Sequence, residues 1–195
     1  MNFPLRIRFK ILTLFTRIEV TDATGQLVCF VKKKAFKLKE HIEVYGDAEM
    51  TRLLLNIQAD RIIDFSAVYA FTDAAGRRLG TVSRKGMRSI WRAHYLIADE
   101  AGATQFEITE ENPWIKVLDG FCEAIPVVNI LTGYMLNPSY LVKRPDGELV
   151  FTVRKQPAIF EGVYQLDLVG QADDAAKART LTSVIMMVLL ERYRG

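Results

Sequence analysis

From Leu5 to Ile11 the chain alternates at every position. Leu5, Ile7, Phe9 and Ile11 share one face, and Arg6, Arg8 and Lys10 share the other. A period of two predicts a half-buried strand. A second strand, Arg17–Thr21, runs into Asp22-Ala-Thr-Gly25. The same punctuation returns at Asp73-Ala-Ala-Gly76, Asp99-Glu-Ala-Gly102 and Pro145-Asp-Gly147. Aspartate at the start of a type I turn bonds back to the backbone, and glycine supplies the positive φ that closes a hairpin. Four such turns between alternating segments predict antiparallel β-structure.

Three of these turns lead into similar strands. Val31, Val82 and Val153 stand six residues after Gly25, Gly76 and Gly147, each with a basic residue close behind: Lys32, Arg84 and Arg154. After a short irregular step, long strands resume at His41–Tyr45, Trp91–Ala98 and Gly162–Val169. Counting Met50–Gln58 and Ile62–Phe71, about twelve strands are expected, over about 4–109 and 138–169. A repeated unit that cannot bury its own apolar face implies a closed assembly.

The C-terminal stretch breaks the pattern. Eight of the ten residues from Leu181 to Leu190 are large and apolar, and they fall on all sides of a helix expected over about 174–193. A surface helix carries one apolar stripe, so this one must be enclosed. Ten residues span roughly 15 Å, whereas a bilayer crossing takes about 20 apolar residues, so the enclosing wall is expected to be protein. Asp173 or Asp174 is placed to cap the helix.

Asn112-Pro-Trp predicts a short amphipathic helix over about 112–123, with Trp114, Val117, Leu118 and Phe121 at helical spacing. The apolar stretch at 125–136, broken by Pro126 and Gly133, has two readings. It packs over an open barrel end, or it forms an exposed patch that contacts a membrane or a protein partner. The first is preferred.

Composition adds less. Half of the 195 residues are hydrophobic, ample for one domain with a sizeable core. The start lacks the continuous apolar run of a signal peptide. Cys29 and Cys122 lie far apart in apolar surroundings, which reads as reduced core cysteines of a cytoplasmic protein. The charge distribution matters more. Residues 1–39 carry nine basic and two acidic residues, a net of +7, while the remainder carries 17 basic and 21 acidic, a net of −4. The candidate anion-binding residues are therefore Arg6, Arg8, Lys10, Lys32, Lys33, Lys34, Lys37 and Lys39, facing a membrane surface or another polyanion. The plainer reading, which is preferred, makes them solvated faces of edge strands, where lysine discourages aggregation.

Catalytic signals are weak. His41 and His94 each sit in a strand pattern without Cys/His partners at metal spacing. Asp60 and Asp64, four residues apart, form the one carboxylate pair suited to acid/base work, and ordinary ion pairing accounts for them equally. No nucleophile elbow, phosphate loop or metal motif occurs, so no cofactor, metal or catalytic residue is assigned and a non-enzyme is expected. Nucleic acid is not an expected partner.

The order of these elements resembles the tubby C-terminal domain superfamily, in its LURP-one-related and scramblase-like branch. Arg8–Gly25 is similar to that family's opening strand pair, and Thr180–Tyr193 to its central helix. The resemblance spans essentially the whole chain. It implies a mainly β fold: a closed antiparallel barrel of about twelve strands enclosing a hydrophobic C-terminal helix, plus one short amphipathic helix. Tubby domains bind phosphoinositide headgroups, and scramblases have been linked to lipid movement and calcium. The resemblance thus implies peripheral binding of anionic phospholipid headgroups, against the alternative of a protein-interaction domain. This chain lacks the cysteine-rich, palmitoylation-prone stretch and any Asp-x-Asp-x-Asp-Gly calcium loop. Integral membrane insertion is not expected.

The enclosed helix generates a prediction. Removing residues 180–195 deletes roughly eight apolar side chains worth about 1.5–3 kcal/mol each, against a typical net stability of about 5–15 kcal/mol. The truncated chain is expected not to fold, and a cooperative thermal melt of that truncation would refute an enclosing barrel.

Overall fold

The computed structural model describes residues 1–12, 15–34, 41–63, 66–85, 93–111, 138–158 and 161–192. The expected short helix at 112–123, the apolar segment at 125–136 and Cys122 lie outside them. Twelve strands run in sequence order. They are β1 (Leu5–Leu12), β2 (Phe15–Thr21), β3 (Leu27–Lys34), β4 (Ile42–Tyr45), β5 (Leu53–Ile63) and β6 (Ser66–Asp73). The second half holds β7 (Arg78–Arg84), β8 (His94–Ala98), β9 (Thr104–Glu110), β10 (Ser139–Lys143), β11 (Leu149–Gln156) and β12 (Gly162–Leu168). Each pairs antiparallel with its neighbours, and β1 closes the circle on β12 through Leu5↔Leu166 and Phe9↔Gly162. The closed antiparallel barrel is as expected.

The inward set is the apolar half of the alternation. Leu5, Ile7 and Phe9 on β1, Ile18 and Val20 on β2, and Ile97, Phe106 and Ile108 further round are at most 1% exposed. They pack on α1 (Asp174–Arg192). Val184 to Leu189 of that helix are each at most 1% exposed, and Leu190 is half-buried. Barrels with many strands leave an interior that their own side chains cannot fill. Here the helix fills it, with Met186 and Met187 supplying flexible volume.

Polar contacts fix the helix at both ends. Asp173 is the cap, its Oδ1 accepting from the Ala176 amide at 2.7 Å, and Asp174 follows in the first turn. Arg179 is buried; its Nε donates to Leu79 O at 2.8 Å, and its other nitrogens reach Glu100 at 2.7 Å and Gln105. At the far end, Tyr95 donates to Glu191 Oε1 at 2.6 Å, with Arg84 3.6 Å from the same oxygen. Both anchors therefore run to the β7–β9 side of the wall.

The turns share one build. Asp22, Asp73 and Asp99 each accept two backbone amides on Oδ1, at 2.8–3.1 Å. Gly25, Gly76 and Gly102 then take φ of 82°, 79° and 88°. The fourth turn puts Arg144 in the aspartate's place and moves the carboxylate to Asp146, while Gly147 keeps φ 95°. A fifth turn is not legible in the sequence. Asp47 accepts the amides of Thr51 and Arg52, and Met50 stands at φ 60° where the others have glycine. Methionine hides the motif, and the expected strand from Met50 begins only at Leu53.

A second boundary also differs from the expected one. Ala59-Asp60-Arg61 reads as a break between strands ending at Gln58 and starting at Ile62. Instead β5 runs through to Ile63, with a bulge that pairs Ala59 with Tyr69 and Arg61 with Val68 and leaves Asp60 extra. The first residues of two other expected strands also shift: β4 begins at Ile42 and β8 at His94, with Trp91 outside the described residues.

The turns generate two predictions. A Cβ at Gly147 meets nothing within 4 Å, so Gly147→Ala is expected to cost only the left-handed penalty of about 1–2 kcal/mol. A Cβ at Gly80 would stand 2.5 Å from Ala98 O, so Gly80→Ala adds about 1–3 kcal/mol of overpacking. Met50→Gly relieves the fifth turn and is expected to gain roughly 0.5 kcal/mol. Denaturant melts ranking these variants in any other order would contradict the assignment.

The second concerns acid. The Thr24 hydroxyl holds Asp22 below its ordinary 3.8, the Thr51 amide does the same for Asp47, and the Arg77 amide for Asp73. A depressed carboxylate contributes stability above its unfolded pKa and loses it as pH falls through the folded value. Thermal midpoints are expected to fall as pH drops below about 4, and to fall less steeply in the Asp22→Asn/Asp47→Asn/Asp73→Asn variant. Identical slopes would show that these carboxylates do not carry the acid sensitivity.

Candidate functional site: a basic outer face on β1–β3

The outward half of the β1 alternation carries Arg6, Arg8 and Lys10. Arg6 and Lys10 are exposed and Arg8 is half-buried. Register decides their neighbours. Lys10 pairs with Arg17 on β2, and Arg17 pairs with Lys32 on β3. Three exposed cations thus stand in one row across three adjacent strands, about 5 Å from one to the next. Like charges directly opposite one another repel, and Glu161, 3.6 Å from Lys10 Nζ, offsets part of that repulsion.

The face is partly neutralised. Arg8 lies opposite Glu19, with 4.0 Å between Nη1 and the carboxylate. Arg8 Nε and Lys10 Nζ both approach Glu161, at 3.7 and 3.6 Å. Arg6 sits apart from the row, two pairs up the strand against Thr21. It lines a shallow groove of about 620 Å³ with Asp22, Glu161 and Gln165. Lys33 and Lys34 pair in backbone register with Thr16 and Phe15, and their side chains lie outside the described residues. Lys37 and Lys39 lie wholly outside them.

Of the eight predicted cations, the structure brings Lys10 and Lys32 into one row and leaves Arg6 and Arg8 beside it. The residue joining them, Arg17, is not among the eight. The sequence shows Arg17 only as the first residue of the second expected strand; the register that pairs Leu12 with Phe15 is what carries Lys10 onto Arg17. β1 is flanked by β2 and β12, and β3 by β2 and β4, but the β1–β12 register ends at Phe9 and the β3–β4 register at Val31, so Lys10 and Lys32 stand just past those ladders, where the plainer account of solvated strand ends still applies.

The other candidates are engaged elsewhere. His41 Nε2 lies 2.6 Å from Asn56 Oδ1 just ahead of β4, and His94 Nε2 lies 3.0 Å from Glu107 on β9. Asp60 is 3.6 Å from Arg78, and Asp64 lies outside the described residues. Among the described residues no cluster of metal-ligating side chains occurs. Burial pushes the Cys29 thiol up to about 12, which makes it unreactive.

What the fold defines is a closed antiparallel barrel threaded by its own C-terminal helix, with a cationic stripe on the wall beside the closure. A family model described as LURP-one-related matches residues 27–123, from the start of β3 to beyond β9, just under half of the chain. The matched span holds Lys32 but neither Lys10 nor Arg17, and it does not reach α1. No curated protein matches the chain. Among the described residues no helix is long and apolar enough to cross a membrane.

Proposed function

We propose that the protein is a non-catalytic binding module of the tubby-like kind, and that its β1–β3 face binds anionic phospholipid headgroups peripherally at a cytoplasmic membrane surface. The observation that carries this reading is the in-register row Lys10–Arg17–Lys32. The face around the row carries Arg6, Arg8, Lys10, Arg17 and Lys32 against Glu19 and Glu161, a positive excess that a surface of opposite charge complements. A bilayer presents phosphates over an area, which suits a row on an open wall better than it suits a pocket. The wider kinship with tubby domains and scramblases rests on the barrel threaded by a helix and on the order of elements. The competing reading, a protein-interaction domain, draws on the apolar segment at 125–136.

The test is co-sedimentation with vesicles of phosphatidylcholine alone or mixed with phosphatidylserine. Each basic residue near an anionic surface contributes about 1 kcal/mol. Arg17→Glu/Lys32→Glu is therefore expected to lose at least about 2 kcal/mol, roughly 30-fold in partitioning. Raising salt from about 0.1 M, where the Debye length is about 10 Å, to about 1 M should release the wild type. Absent or salt-insensitive binding by the wild type, or equal binding by the double variant, removes the lipid reading and leaves the interaction domain.

A further inference from the structure

A second recess lies at the barrel end where the Asp/Gly turns cluster, away from the basic row. Gly80 lets the helix approach β7: a Cβ there would stand 2.8 Å from Cδ of Arg179 as well as against Ala98 O. On the neighbouring stripe of the helix, Ala175 and Ala178 are too short to reach the wall, and both stay exposed. Between them and the β5–β6 wall at Leu55 and Phe71 a recess of about 340 Å³ remains. That volume lies within the range of small-molecule sites, which are mostly apolar with a few convergent polar groups.

The charged groups of this recess are three guanidiniums, Arg77, Arg78 and Arg179, against the single carboxylate of Glu100, and the Thr182 hydroxyl donates to Ala178 O. Arg179 is already committed to Glu100, Leu79 O and Gln105, so it forms a fixed wall. Arg77 and Arg78 differ. Their partners are Asp73 at 2.7 Å, itself 16% exposed, and Asp60 at 3.6 Å, while the arginine side chains are 82% and 43% exposed. Exposed ion pairs of this kind exchange at little net cost. A carboxylate from a ligand offers the same planar match to the guanidinium fork.

We propose that this recess binds a medium-chain fatty carboxylate, its chain against Leu55, Phe71, Ala175 and Ala178 and its head at Arg77 and Arg78. This site is independent of the β1–β3 face. Decanoate is the probe, measured by titration calorimetry on the full chain, with decanol as the uncharged control. Saturable one-to-one binding of decanoate is expected, with decanol at least about tenfold weaker because a charge-assisted pair is lost. Arg78→Gln should weaken decanoate about tenfold and leave decanol unchanged. Ala178→Phe, at an exposed position, should block both, and Ala175→Leu should do so from the preceding turn if the first variant melts early. Arg17→Glu/Lys32→Glu should bind decanoate like the wild type, which separates this site from the membrane reading. The proposal is overturned by no saturable binding of decanoate, by decanol binding as tightly, by an Arg78→Gln variant with unchanged affinity, or by cavity-filled variants that bind normally.

Discussion

The structure depends on one mutual requirement. A helix apolar on every side has no stable place in water, and a twelve-stranded barrel has an interior too wide for its own side chains. Each supplies what the other lacks. Val184 to Leu189 vanish from solvent because Leu5, Ile7, Ile97 and Ile108 surround them, and those residues are buried because the helix is there. Closure of β1 on β12 and insertion of α1 are thus one event energetically. All twelve strands precede α1 in the chain, so the helix completes a core whose wall comes before it.

The two ends of the barrel are built differently from each other. At the end where α1 enters, five turns keep a carboxylate on the backbone amides and one residue at positive φ. Arg179 meets that end through Leu79 O, Glu100 and Gln105. The helix is thereby fastened to the rigid hairpins of β7–β9. On the neighbouring side the short side chains of Ala175 and Ala178 leave space against β5 and β6. One glycine and two alanines, far apart in the chain, decide which side of the barrel is tight and which is open.

The outer wall carries its chemistry in register. Lys10, Arg17 and Lys32 come from three strands, and each by itself occupies an ordinary outward position. Only the pairings Lys10↔Arg17 and Arg17↔Lys32 turn them into a row. Glu161, arriving from just ahead of β12, shares its charge between Arg8 and Lys10 and sets the limit of the stripe on that side.

Strand content, antiparallel pairing, four of the turns and the enclosed helix were legible in the chain itself, because period-two alternation, Asp-x-x-Gly spacing and an all-round apolar helix are local patterns with local causes. Where the local cause is masked, the reading slips. Met50 does a glycine's work in the fifth turn, and Asp60, between the expected strands ending at Gln58 and starting at Ile62, is the extra residue of a bulge. The basic character of the first third was equally plain from composition. Which cations stand together was not, since that depends on hairpin register. The recess beside Arg179 left no trace at all, because it is the space remaining between a helix near residue 178 and strands roughly a hundred residues earlier. Local sequence sets what each segment buries; only the assembled barrel decides what is left uncovered.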